Sequence, residues 1–324
     1  MTDAIILRNV TKTFGSKTAV SNMDLHVPTG ALYGFIGPNG AGKTTTIRII
    51  LSILFADSGD VQVLGHKSAL EAKDRIGYLP EERGVYKKMR VGDFLLYMAR
   101  LKGLDGPDLK KRIREWLERV GLGDTELKRC DELSKGMQQK VQFIGAVIHH
   151  PDLLILDEPF SGLDPVSSRQ LRQLVMDEHK RGATILFSTH VMSNAEQLCD
   201  HVVMIHGGQK VLDSNLTAIR NAQGIRGLWF EPLDGQADVQ ALRNVRGVKR
   251  IEREGGAYQI TLQEGTDPGS ALQEVVAAMP AARIELHRPS LEDIFIEIVA
   301  GRGEDVGHLR DTLRNGAGTA EVQS

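Results

Sequence analysis

The segment FIGPNGAGKTTTIRII, residues 35–50, constrains this chain more than any other. Gly37, Pro38, Asn39, Gly40, Ala41, Gly42, Lys43 and Thr44 fit the spacing G-x-x-x-x-G-K-[ST], set between an apolar run and a helical pattern. A polyphosphate needs many hydrogen-bond donors at close range. Glycines let backbone N–H groups turn inward with no Cβ in the way. A helix starting near Lys43 points its positive end at the anion. Lys43 adds a full charge toward the β- and γ-phosphates, and the Thr44 hydroxyl can coordinate Mg²⁺. The segment is expected to hold a nucleoside triphosphate.

The rest of the first 215 residues is consistent with such a loop. The stretches at 31–36 (ALYGFI), 152–157 (DLLILD) and 183–188 (ATILFS) are nearly continuous apolar runs, expected as strands of a mainly parallel sheet covered on both faces. Ile47, Ile50, Leu51 and Leu54 share one face of a helix after the loop. Residues 93–149 are mostly helical in pattern, with Leu109, Ile113, Trp116, Leu117 and Val120 as an apolar stripe stopped by Gly121. The predicted fold class is therefore α/β: a P-loop NTPase domain over 1–215 with an inserted helical subdomain over about 82–150. From residue 216 to 300 the pattern reads β-α-β-β-α-β-α, with a hairpin around Gly255-Gly256. This is the order of a small, ferredoxin-like α+β domain. Residues 301–324 are Gly-rich and polar and are expected to be disordered.

Several functions are excluded or disfavoured by composition. The formal net charge of -2 offers no basic footprint for nucleic acid. No run approaches the ~18 apolar residues of a membrane span, and the N-terminus does not read as a signal peptide. Cys130 and Cys199 form no CxxC pair and are expected as reduced thiols. His190, Cys199, His201 and His206 fit no zinc spacing.

Beside a phosphate loop, the acids of LLILDEP (153–159) acquire a meaning. Asp157, at the end of a buried strand, is placed to hold Mg²⁺ through water, and Glu158 to take a proton from an attacking water or to orient it. His190 follows the strand TILFST. A histidine there is ordinarily a loop residue, but on a strand next to that of Asp157 it could reach a γ-phosphate. Ser134, in ELSKGMQQK, is a good N-cap. Capping is one reading; a second phosphate-binding helix start, with the Ser134 hydroxyl and Gly136 N–H facing an anion, is the other.

In these motifs, taken in order, the chain resembles the ATP-binding cassette (ABC) ATPases, the motor subunits of ABC transporters. Phe14 matches the aromatic that stacks on adenine. Residues 37–45, through Thr45, match Walker A; LSKGM (133–137) the signature; LLILDE Walker B; SGLD (161–164) the D-loop with Asp164; and His190 the switch histidine. The resemblance implies a head-to-tail pair of cassettes, homodimeric or mixed. ATP would lie between Lys43 of one cassette and Ser134/Gly136 of the other. Glu158 would be the general base, and Mg²⁺ would be held by Thr44, Asp157 and Glu81. It also implies a separate transmembrane permease and a cytoplasmic location at the inner face of the membrane, with no nucleic-acid partner.

Two departures stand out. Glu81 (or, with a slip of one, Glu82) takes the place of the family's usual Gln, and Lys135 and Met137 replace the usual Gly and Gln of the signature. LPEERGVY together with RPSLEDIFIEIVAG (288–301) resembles the subgroup serving sodium, multidrug or peptide-antibiotic export. The second of these segments is equally readable as an amphipathic docking helix. The alternative function is an ABC-type ATPase or nucleotide switch not coupled to transport. Such soluble proteins usually carry two cassettes or long coiled coils, and this chain has one cassette and no sustained heptads.

Overall fold

The computed structural model describes residues 2–82 and 84–302. The chain divides into two compact units, one built on residues 1–215 and the other on Leu216–Glu297.

The first unit opens with a hairpin of β1 (Asp3–Phe14) and β2 (Lys17–Pro28), closed by Gly15 at φ 57, so that Phe14 pairs with Lys17 at its tip. The fully buried β3 (Leu32–Ile36) feeds the glycine loop and α1 (Lys43–Ile50). β4 (Ser58–Val63) returns to pair antiparallel with β1, giving a three-stranded sheet in the order β2-β1-β4. A 3₁₀ segment (Ala69–Arg75), N-capped by Ser68, leads into β5 (Ile76–Leu79).

Three helices follow: α2 (Val91–Leu101), α3 (Leu109–Arg119) and α4 (Lys135–Val147). The stripe Leu109, Ile113, Trp116, Leu117 and Val120 is buried, and Gly121 ends the run at φ 73, a backbone angle that favours glycine. The chain then re-enters the sheet through β6 (Leu153–Asp157), α5 (Pro165–Lys180), β7 (Thr184–Thr189), α6 (Met192–Leu198), β8 (His201–His206) and β9 (Gln209–Asn215).

The main sheet runs β5-β6-β7-β3-β8-β9, parallel except for β9 at its edge. β3, β6 and β7 are buried at every residue, which is why they lack the polar alternation of half-exposed strands. The core between the two sheets contains Ile5, Leu25, Phe35, Ile47, Ile50, Ile155 and Val203. Leu51 and Leu54 lie partly buried against it, although the helix itself ends at Ile50.

The second unit holds α7 (Leu216–Gln223), β10 (Gly227–Pro232), β11 (Val248–Glu254), β12 (Ala257–Leu262), α8 (Pro268–Ala278), β13 (Ala281–His287) and α9 (Leu291–Ala300), whose last residues run past Glu297. Its sheet order, β11-β12-β10-β13, is antiparallel throughout and is that of a ferredoxin-like unit. The hairpin turns at Gly255-Gly256, with Glu254 paired to Ala257. The short helix expected after β10 is a 3₁₀ turn, Val239–Asn244, capped by Asp238. Six residues are too few for the cooperativity of an α-helix. The expected disordered tail falls, from residue 303 on, outside the described residues.

Candidate functional site

The glycine loop is held by its neighbours before any ligand arrives. Gly37 N–H donates to Thr189 O at 3.3 Å, and Gly208 N–H to Ala41 O at 3.0 Å. A Cβ on Gly37 would lie 2.3 Å from Ile205 O. At Gly42 a Cβ would lie 2.3 Å from Ala19 O, on a residue whose φ is 107. Gly42 is also the N-cap of α1. It supplies no side-chain cap, and the first turn carries no acid. The first N–H groups of α1 are thereby left for an anion.

Lys43 is buried at 6% exposure. Its ammonium donates to Gly37 O at 2.8 Å and Pro38 O at 3.3 Å, and lies 3.3 Å from Glu158 Oε1. Glu158 is the residue after β6 and is equally buried. It takes φ 47, a conformation non-glycine residues rarely occupy. Its N–H donates to Ser188 Oγ at 3.1 Å, which pins the turn to the neighbouring strand. The other carboxylate oxygen, Oε2, lies 3.0 Å from His190 Nδ1. Burial alone would raise the Glu158 carboxyl; His190 and Lys43 outweigh it and hold it below the ordinary range.

Asp157 is fully buried. Its Oδ1 accepts from Ser188 Oγ at 2.5 Å and from Thr44 Oγ1 at 3.4 Å, while Oδ2 has no hydrogen-bond partner. Burial raises its carboxyl, against the pull of those two hydroxyls. A buried carboxylate oxygen left unpaired is costly in an empty protein interior. Beside the Thr44 hydroxyl, a hard all-oxygen donor set, it suits a Mg²⁺ ion.

Above these groups lies a cavity of about 420 Å³ lined by Phe14, Lys17, Ala19, Asn39, Gly40, Gly42, Lys43, Thr44, Thr45, Glu81 and Glu158. Phe14 is nearly half-exposed at the hairpin tip, with the Lys12 ammonium 5.4 Å from its ring centroid. Glu81, and not Glu82, lines this cavity; both border a neighbouring one of about 520 Å³ with Gln139, Ser161 and Gly162.

Ser134 and Gly136 are not among the lining residues of the first cavity. Ser134 caps α4 by accepting from Met137 N–H at 3.3 Å. A Cβ on Gly136 would meet Ser167 Oγ at 2.9 Å and Asp164 Oδ2 at 3.7 Å. Asp164 in turn caps α5 through Val166 and Ser167 N–H. The helix start at Ser134 and the turn at Asp164 thus form one surface, separate from the lining of the phosphate cavity. Sequence reading missed Ser188, which ties Asp157 and Glu158 to β7. Its only signal was a polar residue following the apolar run Ile185–Phe187 in β7.

A phosphate loop at the end of one parallel strand, with two carboxylates at the same end of the strand next but one in the sheet, defines a P-loop nucleoside triphosphatase. A family model described as "ABC transporter" matches residues 20–161, and one described as "ATP-binding protein DrrA1-3-like, C-terminal domain" matches 215–299. The chain is 42% identical to the uncharacterized ABC transporter ATP-binding protein YhaQ of Bacillus subtilis (strain 168), over 91% of this chain and 98% of that protein. It is 32% identical to the bacitracin transport ATP-binding protein BcrA of Bacillus licheniformis, over 93% of this chain and 99% of that one. Among solved structures, an ATP-binding subunit of an ABC transporter superposes with a TM-score of 0.63 at 29% identity, covering 68% of this chain and 92% of that one. The chain belongs to the ABC transporter ATP-binding proteins and is an ABC-type ATPase.

Proposed function

We propose that this chain is the ATP-hydrolysing subunit of an ABC exporter, working as a pair of cassettes on a separate membrane permease at the cytoplasmic face. The observation that carries the chemistry is Glu158, buried between Lys43 at 3.3 Å and His190 at 3.0 Å on the edge of the phosphate cavity. Kept ionised there, its carboxylate can accept a proton from a water attacking the γ-phosphate. His190 holds that carboxylate in place and reaches toward the same phosphate. Lys43 and the backbone N–H groups from Asn39 to Thr45 bind the triphosphate, and Phe14 stacks on the base.

The residues that would hold Mg²⁺ are Thr44, Asp157 and Glu81; the unpaired Asp157 Oδ2 supports this assignment. When bound, Mg²⁺ neutralises charge on the β- and γ-phosphate oxygens. Ser188 fixes the Asp157 carboxylate for that task by donating to its other oxygen.

The helix start at Ser134 and Gly136 lies outside the lining of its own chain's phosphate cavity. A second cassette, turned head to tail, would present its nucleotide there. The exporter assignment is supported by the kinship to a bacitracin transport protein along nearly the whole chain. None of the described helices is long and apolar enough to cross a membrane.

Mixing two inactive variants tests the arrangement. Lys43→Ala and Ser134→Glu each remove one half of the site. A mixed dimer retains one site with Lys43 and Ser134 both intact, so ATPase activity should return on mixing. If the two halves served one chain alone, the mixture would stay inactive.

A further inference from the structure

Glu81 gives the nucleotide cavity a second lining carboxylate beside Glu158. It lines the cavity with Lys43, Thr44 and Glu158. Asp157 lies fully buried alongside Thr44, with Oδ2 unpaired. Among the described residues none forms an ion pair with Glu81.

Fixed positive charge within reach is scarce. The Lys43 ammonium is already shared between Gly37 O, Pro38 O and Glu158. Lys17 sits at the exposed hairpin with Phe14, where solvent and salt screen it. His190 already faces Glu158. A metal-free triphosphate, itself strongly anionic, therefore enters a cavity in which carboxylates outnumber the buried lysine.

We infer that Glu81 makes this site select the metal–nucleotide complex and reject free nucleotide. This rests on the ATP site proposed above and concerns its selectivity. The Glu81 carboxylate repels the phosphate tail of metal-free ATP and faces a divalent cation once the complex binds. A glutamine there would be neutral, with an amide that donates as well as accepts, and would meet both forms alike. Linkage makes the effect reciprocal: the factor by which metal strengthens nucleotide binding equals the factor by which nucleotide strengthens metal binding. Glu81 sets the size of that factor. A unit charge removed from near the phosphates, at the effective dielectric of a protein surface, changes affinity about tenfold or more.

The test is equilibrium binding of the non-hydrolysable triphosphate AMP-PNP to the full chain, with excess Mg²⁺ and with EDTA. In EDTA, Glu81→Gln should bind about tenfold or more tighter than the parent, so that its Mg²⁺-to-EDTA affinity ratio falls by about tenfold or more. Glu81→Asp should keep the parent's ratio. Mn²⁺ affinity, measured with and without AMP-PNP, should show the same loss of coupling in Glu81→Gln. Tighter metal-free binding cannot come from misfolding. An unchanged Mg²⁺-to-EDTA ratio in Glu81→Gln, with Lys43→Ala still abolishing binding, overturns this inference alone. Binding by Lys43→Ala equal to the parent's overturns the ATP site itself.

Discussion

Lys43 and Glu158 form a buried ion pair at 3.3 Å, each only 6% exposed, across the floor of the phosphate cavity. Neither charge could be kept there alone. A buried charge stripped of its partner costs several kcal/mol, and Lys43 with His190 holds the Glu158 carboxyl below its ordinary range against the pull of burial.

Gly42→Ala places a Cβ 2.3 Å from Ala19 O on a residue at φ 107. Neither the clash with backbone nor the dihedral can be relieved without moving the turn that opens α1. Nucleotide binding should fall by about tenfold or more, reflecting a strain of order 1–3 kcal/mol. Titration with a fluorescent ATP analogue, with circular dichroism to verify the fold, measures this.

Removal of the base-stacking surface should act on affinity alone. Phe14 is nearly half-exposed at the hairpin tip and supports no core, so Phe14→Ala should leave thermal stability unchanged. It should weaken ATP binding by about 1–3 kcal/mol, the usual worth of a base–aromatic stack. Phe14→Trp should restore most of it. Calorimetric titration distinguishes the three proteins.

His149 supplies a pH dependence away from the site. Burial first, and the Lys102 ammonium second, hold its pKa at about 4, below the 6.5 of a free imidazole. Its Nε2 lies 3.2 Å from Ile76 O, in the main sheet. The unfolded chain takes up the proton near 6.5 and the folded chain only near 4, so the unfolded state binds more protons between those values. Stability should therefore fall as pH drops from 6.5 toward 4, by roughly 1–3 kcal/mol in all. His149→Gln should flatten that part of the curve. Urea denaturation at several pH values provides the comparison.

The parts of this fold that were legible in the sequence are those where one requirement dictates residue type. Buried parallel strands must be apolar at every position, and β3, β6 and β7 are. The phosphate loop must be small and cationic. The β2-β1-β4 sheet was harder to read because its alternation is broken by register shifts, with Asn9 and Asn22 at positive φ inside its strands. Its pattern matches no single period over the length of a strand. Ser188 was invisible for another reason. A serine near the end of a strand is commonplace, and its role arises only because β6 and β7 pair with Asp157 opposite it. The sequence puts Glu81 in the place of the usual Gln, or Glu82 with a slip of one, since a loop has no periodicity to fix its register; of the two, Glu81 lines the cavity.

The central claim is that Glu158 takes the proton from the attacking water while Lys43 and the loop hold the nucleotide. Steady-state phosphate release by Glu158→Gln, measured beside ATP binding by the same protein, tests it most directly. The account predicts turnover lowered by about 10²–10⁴-fold with binding retained. Hydrolysis at the parent's rate would contradict it.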